Sequence, residues 1–449
     1  MTGLKARVRA HRFITKEISF MVKLALSRCV SLLMWPCFLG VAFIYALWLR
    51  RQPLPLPGKE RLVFGATPIL NLMYWSAAMR AHGYETHTLV NGFYARINKR
   101  SDWDSVLDER FNRVPARFRK FVAFLWALGR FDVFFVSFNG FLLGGTRFQF
   151  LESRILRLAG KKIIITPYGG DAYVYRNIRS LSLLHCLMIS YPAAAREQDV
   201  IEARVRHWTR MADAVVIGNM GPDGFGRWDV LAPSALHIDS DKWVVSSERR
   251  KQPGDPVVIG HMPNHRGVKG TEFLIRAVEQ LQAEGCNVEL LLIEGRQNEE
   301  VRELMQTQVD ILVENLNMTG YGLTGLEGMA CSLPVISSFE NDATLTHFRR
   351  WSFLSECPIV SGCPENIQAL LKRLVGDAAL RAELGRAGRA YVEKYHSLQA
   401  AHFLFSRVIE YVYGRREHAQ MINLFHPLLG ERAAEAKVSH PLLNNRLPD

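Results

Sequence analysis

Cysteine is scarce in this chain: seven residues in 449, scattered, with no Cys-x-x-Cys pair and no Cys/His quartet at zinc spacing. That pattern argues against a disulfide scaffold and a structural zinc site, and it fits a reducing compartment. No Gly-x-Ser-x-Gly elbow and no Walker sequence occurs, which removes two common nucleophile and phosphate motifs. Low-complexity tracts and repeats of solenoid period are also missing, so neither a tether nor a stacked-repeat array is expected. What remains is globular. Hydrophobic residues make up 48% and charged residues 22%, and the length suits two domains of moderate size.

The net charge of +13 is unevenly placed. Residues 1–60 hold ten Lys/Arg against Glu17 and Glu60, so the remainder is nearly balanced. Residues 30–49 form a run without a formal charge, bracketed by Arg28 and by Arg50 and Arg51. As a helix, such a run would reach across the roughly 30 Å hydrocarbon layer. Pro36 also allows a kinked or re-entrant helix, and a buried helix of the soluble body is the alternative. A basic end beside an apolar run points to an anionic membrane as partner, not to nucleic acid. The Pro-rich stretch 52–58 reads as a stiff spacer. A second basic segment, with Arg110, Arg113, Arg117, Arg119 and Lys120 among Phe111, Phe118, Phe121, Phe124 and Trp126, suits either the headgroup layer or a core-facing helix.

From Arg61 onward, short apolar runs alternate with helical spacing. Strands are expected at 61–68, 85–90, 132–138, 161–171 and 211–217, and again at 256–261, 288–295, 310–313 and 333–338. Polar, Pro- and Gly-containing sequence separates the two series. The expected organisation is a leader, apolar segment and spacer over 1–58, a first domain over 59–232, a linker over 233–255, a second domain over 256–414 and a tail over 415–449. Strands separated by helices give an α/β fold of two Rossmann-like doubly wound domains, with ligands beyond the carboxyl ends of the strands in the cleft between them.

The most informative stretch is Thr319-Gly320-Tyr321-Gly322-Leu323-Thr324, followed by Glu327. The glycines permit a tight turn, and the helix behind them offers unpaired N–H groups and a positive dipole end to an anion. Glu327, one turn into that helix, is placed to accept hydrogen bonds from ribose hydroxyls, or merely suits the dipole. Arg266 and Lys269 lie in a loop after a strand, as diphosphate-neutralising cations or as solvated charges. In the first half, Tyr168-Gly169-Gly170-Asp171 directly follows a strand; Asp171 is a sugar-hydroxyl contact or a helix N-cap. Asn71 and Tyr74, near the first strand–helix turn, are weaker acceptor-side candidates. Asp239-Ser240-Asp241 falls in the linker and His261 and His265 are separated by Pro263, so neither reads as a metal site.

These motifs, with the ELGRAGRAYVEKYHSLQAA segment at 383–401, resemble the retaining GT-B glycosyltransferases of family 4, the group 1 type. The resemblance implies the two-domain GT-B fold and transfer of a sugar from a nucleotide-sugar to a carbohydrate or lipid-linked acceptor hydroxyl in surface polysaccharide or glycolipid synthesis. It also implies retention of anomeric configuration and no cofactor or metal. By the same resemblance Glu327 binds the donor ribose, Arg266 and Lys269 the diphosphate, and Thr319, Gly320, Gly322, Leu323 and Thr324 line the donor site. Asp171, Arg266 and Lys269 would act in catalysis and Tyr168 on the acceptor side. The sequence departs from the family at Thr319, where a Glu normally contacts donor sugar hydroxyls. That departure leaves a non-catalytic nucleotide- or sugar-binding scaffold as one alternative, and a nucleotide-sugar epimerase as another. Residues 1–29 carry seven Lys/Arg and residues 50–70 four, so a spanning helix would put the body outside the cytosol. A cytosolic donor pool then requires a re-entrant or interfacial segment, on the cytoplasmic face of a bacterial inner membrane.

Overall fold

The structure is a computed structural model describing residues 35–95, 98–218, 226–232, 234–245, 254–340 and 342–448. The basic leader, the first five residues of the apolar run and the centre of the linker lie outside the described residues. Seven strands build the first sheet: β1 (Arg61–Ala66), β2 (Glu85–Val90), β3 (Ser105–Val106), β4 (Val133–Val136), β5 (Lys162–Ile165), β6 (Ala214–Ile217) and β7 (Val230–Leu231). Their order is β3-β2-β1-β4-β5-β6-β7, and each pairing is parallel. The second sheet contains β8 (Val257–His261), β9 (Val288–Leu292), β10 (Ile311–Thr319), β11 (Val335–Ser338) and β12 (Val360–Ser361). It is also parallel throughout, in the order β12-β11-β10-β8-β9. Runs such as Val133–Val136 and Ile163 to Ile165 are apolar at successive positions because helices cover both faces of the sheet. Two doubly wound parallel sheets are the architecture the strand–helix alternation called for.

One strand is longer than its apolar run. β10 continues through Glu314 to Thr319, and its pairing with β11 becomes irregular after Val313. The polar continuation ENLNMT hid this extension, because hydrophobic alternation stops at Val313 while the backbone stays extended.

Past the second sheet, the chain returns to the first domain. The helix Leu398–Val412 packs against the helix Leu70–Ala81, with Phe405 edge-on to Trp75 at 5.1 Å and to Phe135 at 5.2 Å. A first-domain excursion reaches the opposite way: Tyr191 packs on His265 at 4.6 Å, and the Tyr173 hydroxyl lies 3.7 Å from Met318 Sδ. The two domains are thereby tied together at two places.

Residues 35–50 are helical and lie against the first domain. Ala42, Ala46 and Leu49 are buried, and Trp35, Phe38, Leu39 and Tyr45 pack beside them, a stripe at helical spacing. Trp35 meets Phe121 at 4.4 Å and Phe148 at 5.2 Å. Gly129 is required by the close approach, since a Cβ there would stand 1.9 Å from the Tyr45 hydroxyl. The other face, with Val41, Ile44, Leu47 and Trp48, is exposed. Among the described residues no helix is long and apolar enough to cross a membrane. Arg117, Arg119 and Lys120 of the basic segment lie in the helix Ala116–Arg130, Arg110 ends the short helix Leu107–Arg110 before it, and Phe121 and Phe124 are buried in the core. Those rings serve packing rather than a lipid surface.

Candidate functional site

The loop after β10 turns sharply at Gly320, whose φ is +100°, a region open to glycine without strain. The turn sends Tyr321 inward, where its hydroxyl meets Tyr391 at 2.9 Å and His396 at 3.1 Å. It also leaves Gly322 as the N-cap of the helix Leu323–Ala330. Leu323 and Thr324 open that helix and are half-buried. Thr319 ends β10 beside Ser338, also half-buried, with a hydroxyl where the family resemblance expects a carboxylate.

Glu327 is buried, and its Oε1 accepts a hydrogen bond from the Asn298 amide at 3.0 Å. Desolvation is the main cause that pushes its carboxyl up to about 8; the Glu314 charge acts in the same sense, while Asn298, Arg302 and Lys269 oppose it. Lys269 is also buried, and its Nζ lies 3.5 Å from Glu314 Oε1. Tyr74 of the first domain is buried, and burial, then the Glu327 charge, push its hydroxyl above the ordinary range, while a hydrogen bond with Trp243 opposes them. Lys269 and Gly322 thus meet through Glu314 beyond the carboxyl ends of β8 and β10, with Glu327 and Tyr74 within electrostatic reach.

Other candidates fall elsewhere. Arg266 does not join Lys269: it is exposed and forms a two-pronged pair with Glu294 at 2.9 and 2.6 Å, with Glu272 at 3.3 Å. Glu294 and Glu272 neutralise it locally, which corrects the expectation of a cationic pair on one anion. Asp171 is fully buried, and its two oxygens accept from the backbone N–H groups of Phe138, Tyr168 and Gly169 at 2.9 to 3.1 Å. The carboxylate braces the loops after β4 and β5, so neither a helix N-cap nor a free sugar contact describes it. Burial pushes its carboxyl up to about 6 against those amide contacts. Tyr168 accepts from the Asn139 side chain at 2.7 Å in the same loop pair. Asn71 is buried and accepts the His237 backbone N–H at 2.7 Å, so its carbonyl oxygen anchors the linker.

His261 accepts no ligand role either. Its ring nitrogens are taken by the Val313 carbonyl at 2.7 Å and the Thr271 hydroxyl at 2.9 Å, and His265 sits apart against Tyr191. Three residues around these groups are absent from the sequence reading: Glu314, which bonds Gly322 and pairs with Lys269, Asn298, which bonds Glu327, and Arg302, whose charge acts on Glu327. Glu314 left one trace, a lone carboxylate directly after an apolar strand and eight residues before the glycine at the helix start.

No family model matches the chain, and no curated protein does. Solved structures are similar to it at low identity. A glycosyltransferase from Rickettsia africae ESF-5 is 11% identical over 80% of this chain and 100% of that one, with a TM-score of 0.47. MnaA of S. aureus, solved in a co-structure with UDP, is 12% identical over 80% and 98%, with a TM-score of 0.44. The C-terminal domain of a glycosyl transferase group 1 family protein from Francisella tularensis is 18% identical over 36% of this chain and 99% of that domain, with a TM-score of 0.28.

Proposed function

We propose that this chain is a glycosyltransferase of the GT-B type, moving a sugar from a nucleotide-sugar to an acceptor hydroxyl. One observation carries the reading. A buried lysine and the amino end of a helix that carries the buried Glu327 meet through Glu314 beyond the carboxyl end of one parallel sheet. Glu327 would hold the ribose hydroxyls, and Lys269 with the Gly322–Thr324 amides would stabilise the departing diphosphate. Tyr74, across the cleft, would approach the donor from the acceptor side. Closure of the two domains would exclude water and favour transfer over hydrolysis.

Retention of configuration and independence of metal follow the sequence resemblance and belong to the same proposal. So does the setting: a lipid-linked or carbohydrate acceptor at the cytoplasmic face of a bacterial inner membrane, with the exposed side of helix 35–50 toward lipid. Thr319 favours a second reading, a nucleotide- or sugar-binding protein without turnover, because a hydroxyl supplies no charge to the donor sugar. Incubation with a panel of nucleotide-sugars separates the readings by product: transfer or slow hydrolysis, epimer formation, or binding alone. Glu327→Ala is expected to weaken nucleotide diphosphate binding by about 1–3 kcal/mol, the range for two ordinary hydrogen bonds to the ribose hydroxyls. Equal affinity for each nucleotide tested would remove Glu327 from the site.

A further inference from the structure

β10 carries a carboxylate to the place where a diphosphate would have to sit. Glu314 is 2% exposed. Its Oε1 accepts the backbone N–H of Gly322 at 2.7 Å and lies 3.5 Å from Lys269 Nζ. Its Oε2, also buried, has no hydrogen-bond partner among the described residues, and the Gly325 backbone is directly against it. The amino end of an eight-residue helix and a buried lysine are the groups an anionic ligand would use, and here an anion of the chain already uses them.

The charge balance adds to this. Among the described residues Lys269 pairs with the buried Glu314 at 3.5 Å, and Glu327 lies within reach of the Lys269 and Arg302 charges. Arg266, the second cation of the loop, is turned to Glu294 and Glu272. A diphosphate entering this pocket would meet the Glu314 charge at short range, where water screens poorly. The carboxylate is also incompletely satisfied: an orphaned buried oxygen is unfavourable, so its hold rests on one amide and one long ion pair.

We propose that Glu314 is a resident anion of the donor site, a specificity-determining residue that competes with a nucleoside diphosphate for the Gly322 amide and Lys269. A diphosphate seats only as the carboxylate swings out or is neutralised. This rests on the donor-site reading above. Glu314→Gln keeps the shape and an oxygen for the Gly322 N–H while removing the charge; Glu314→Ala empties the position.

The test is calorimetric titration of the full chain and both variants with UDP, GDP, ADP and CDP, and with the corresponding uncharged nucleosides. Either folded variant is expected to bind the preferred diphosphate about tenfold tighter, because removing the carboxylate charge lifts a like-charge repulsion across the binding site. Nucleoside affinity should stay unchanged. Unchanged or weaker diphosphate binding in a folded variant, with the native chain binding, overturns the role of Glu314 and leaves the donor site standing. Equal tightening toward nucleoside and diphosphate overturns it too, because the gain would not be electrostatic. If native chain and folded variants all ignore every nucleotide, the donor-site reading itself falls.

Discussion

Gly325 and Glu314 are fitted to each other: a Cβ on Gly325 would stand 2.2 Å from Glu314 Oε2 and 3.1 Å from its carboxyl carbon. A glycine inside a helix ordinarily loses about 0.5–1 kcal/mol against alanine, so alanine here would be favoured if the space were free. Gly325→Ala is instead expected to destabilise the protein by about 1–3 kcal/mol, as overpacking does. Adding Glu314→Ala should restore most of the loss. Chemical denaturation of the two single variants and the double variant measures the coupling. A Gly325→Ala protein as stable as the native one would mean that the carboxylate occupies another place.

Glu327 sets a pH dependence of stability whose sign follows from its environment. Its carboxyl is raised from the ordinary 4.5 to about 8 in the folded chain. Between those values the folded state holds a proton that the unfolded state has released. Stability from this group is therefore present below about 4.5, falls as pH rises, and is lost once pH passes about 8. The slope is at most about 1.4 kcal/mol per pH unit. Glu327→Gln cannot titrate, so its stability should fall less steeply over that window and exceed that of the native protein above it. Urea midpoints of both proteins across pH 5 to about 9 provide the comparison. Parallel curves would show that Glu327 is not held in a dry pocket.

The glycine turn has a structural anchor distinct from its ligand face. Burial pushes the His396 ring down to about 4, so it is neutral, and its Nδ1 lies 2.8 Å from the Leu236 carbonyl. With Nδ1–H donating there, Nε2 accepts from Tyr321, which in turn accepts from Tyr391. Tyr321→Phe orphans the buried His396 nitrogen, and about 1–3 kcal/mol of stability should be lost. Nucleotide affinity, measured well below the new melting point, should change little because Tyr321 points away from the cleft. A selective loss of affinity at unchanged stability would place its hydroxyl in the site instead.

Much of the fold was legible because parallel strands buried on both faces announce themselves as short apolar runs. Val133–Val136, Ala214–Ile217 and Val335–Ser338 all fall inside runs read from the sequence. The glycine turn and the helix bearing Glu327 were legible for a local reason, since a tight turn needs glycine. What sequence could not supply was pairing in space. Arg266 and Lys269 are one helical turn apart, yet one side chain turns to Glu294, just after β9, and the other to Glu314 on β10. Asp171 looked like a cap because caps are local; its third amide partner, Phe138, is 33 residues away. Glu314 was invisible as a site residue because its partners arrive only when β10 lies beneath the helix it precedes.

Helix 35–50 gives the last test, because its two faces make opposite demands. The buried face carries Ala42 and Ala46 against the first domain, while Ile44 is 71% and Trp48 54% exposed. Exposed Leu54 and Leu56 follow in the spacer, and Arg50, Arg51 and Lys59 are exposed nearby. An apolar face that remains uncovered after docking, flanked by cations, suits the boundary between headgroups and acyl chains, with Trp48 at the interface. Ile44→Glu with Trp48→Glu should leave thermal stability unchanged and abolish sedimentation with vesicles containing anionic phosphatidylglycerol. Ala46→Glu should do the reverse in the first respect, lowering stability by burying a charge against the domain. Binding of the native protein should weaken as salt rises, since the cations contribute through screened attraction. Undiminished vesicle binding by the Ile44, Trp48 double variant would show that this face is not the surface that meets lipid.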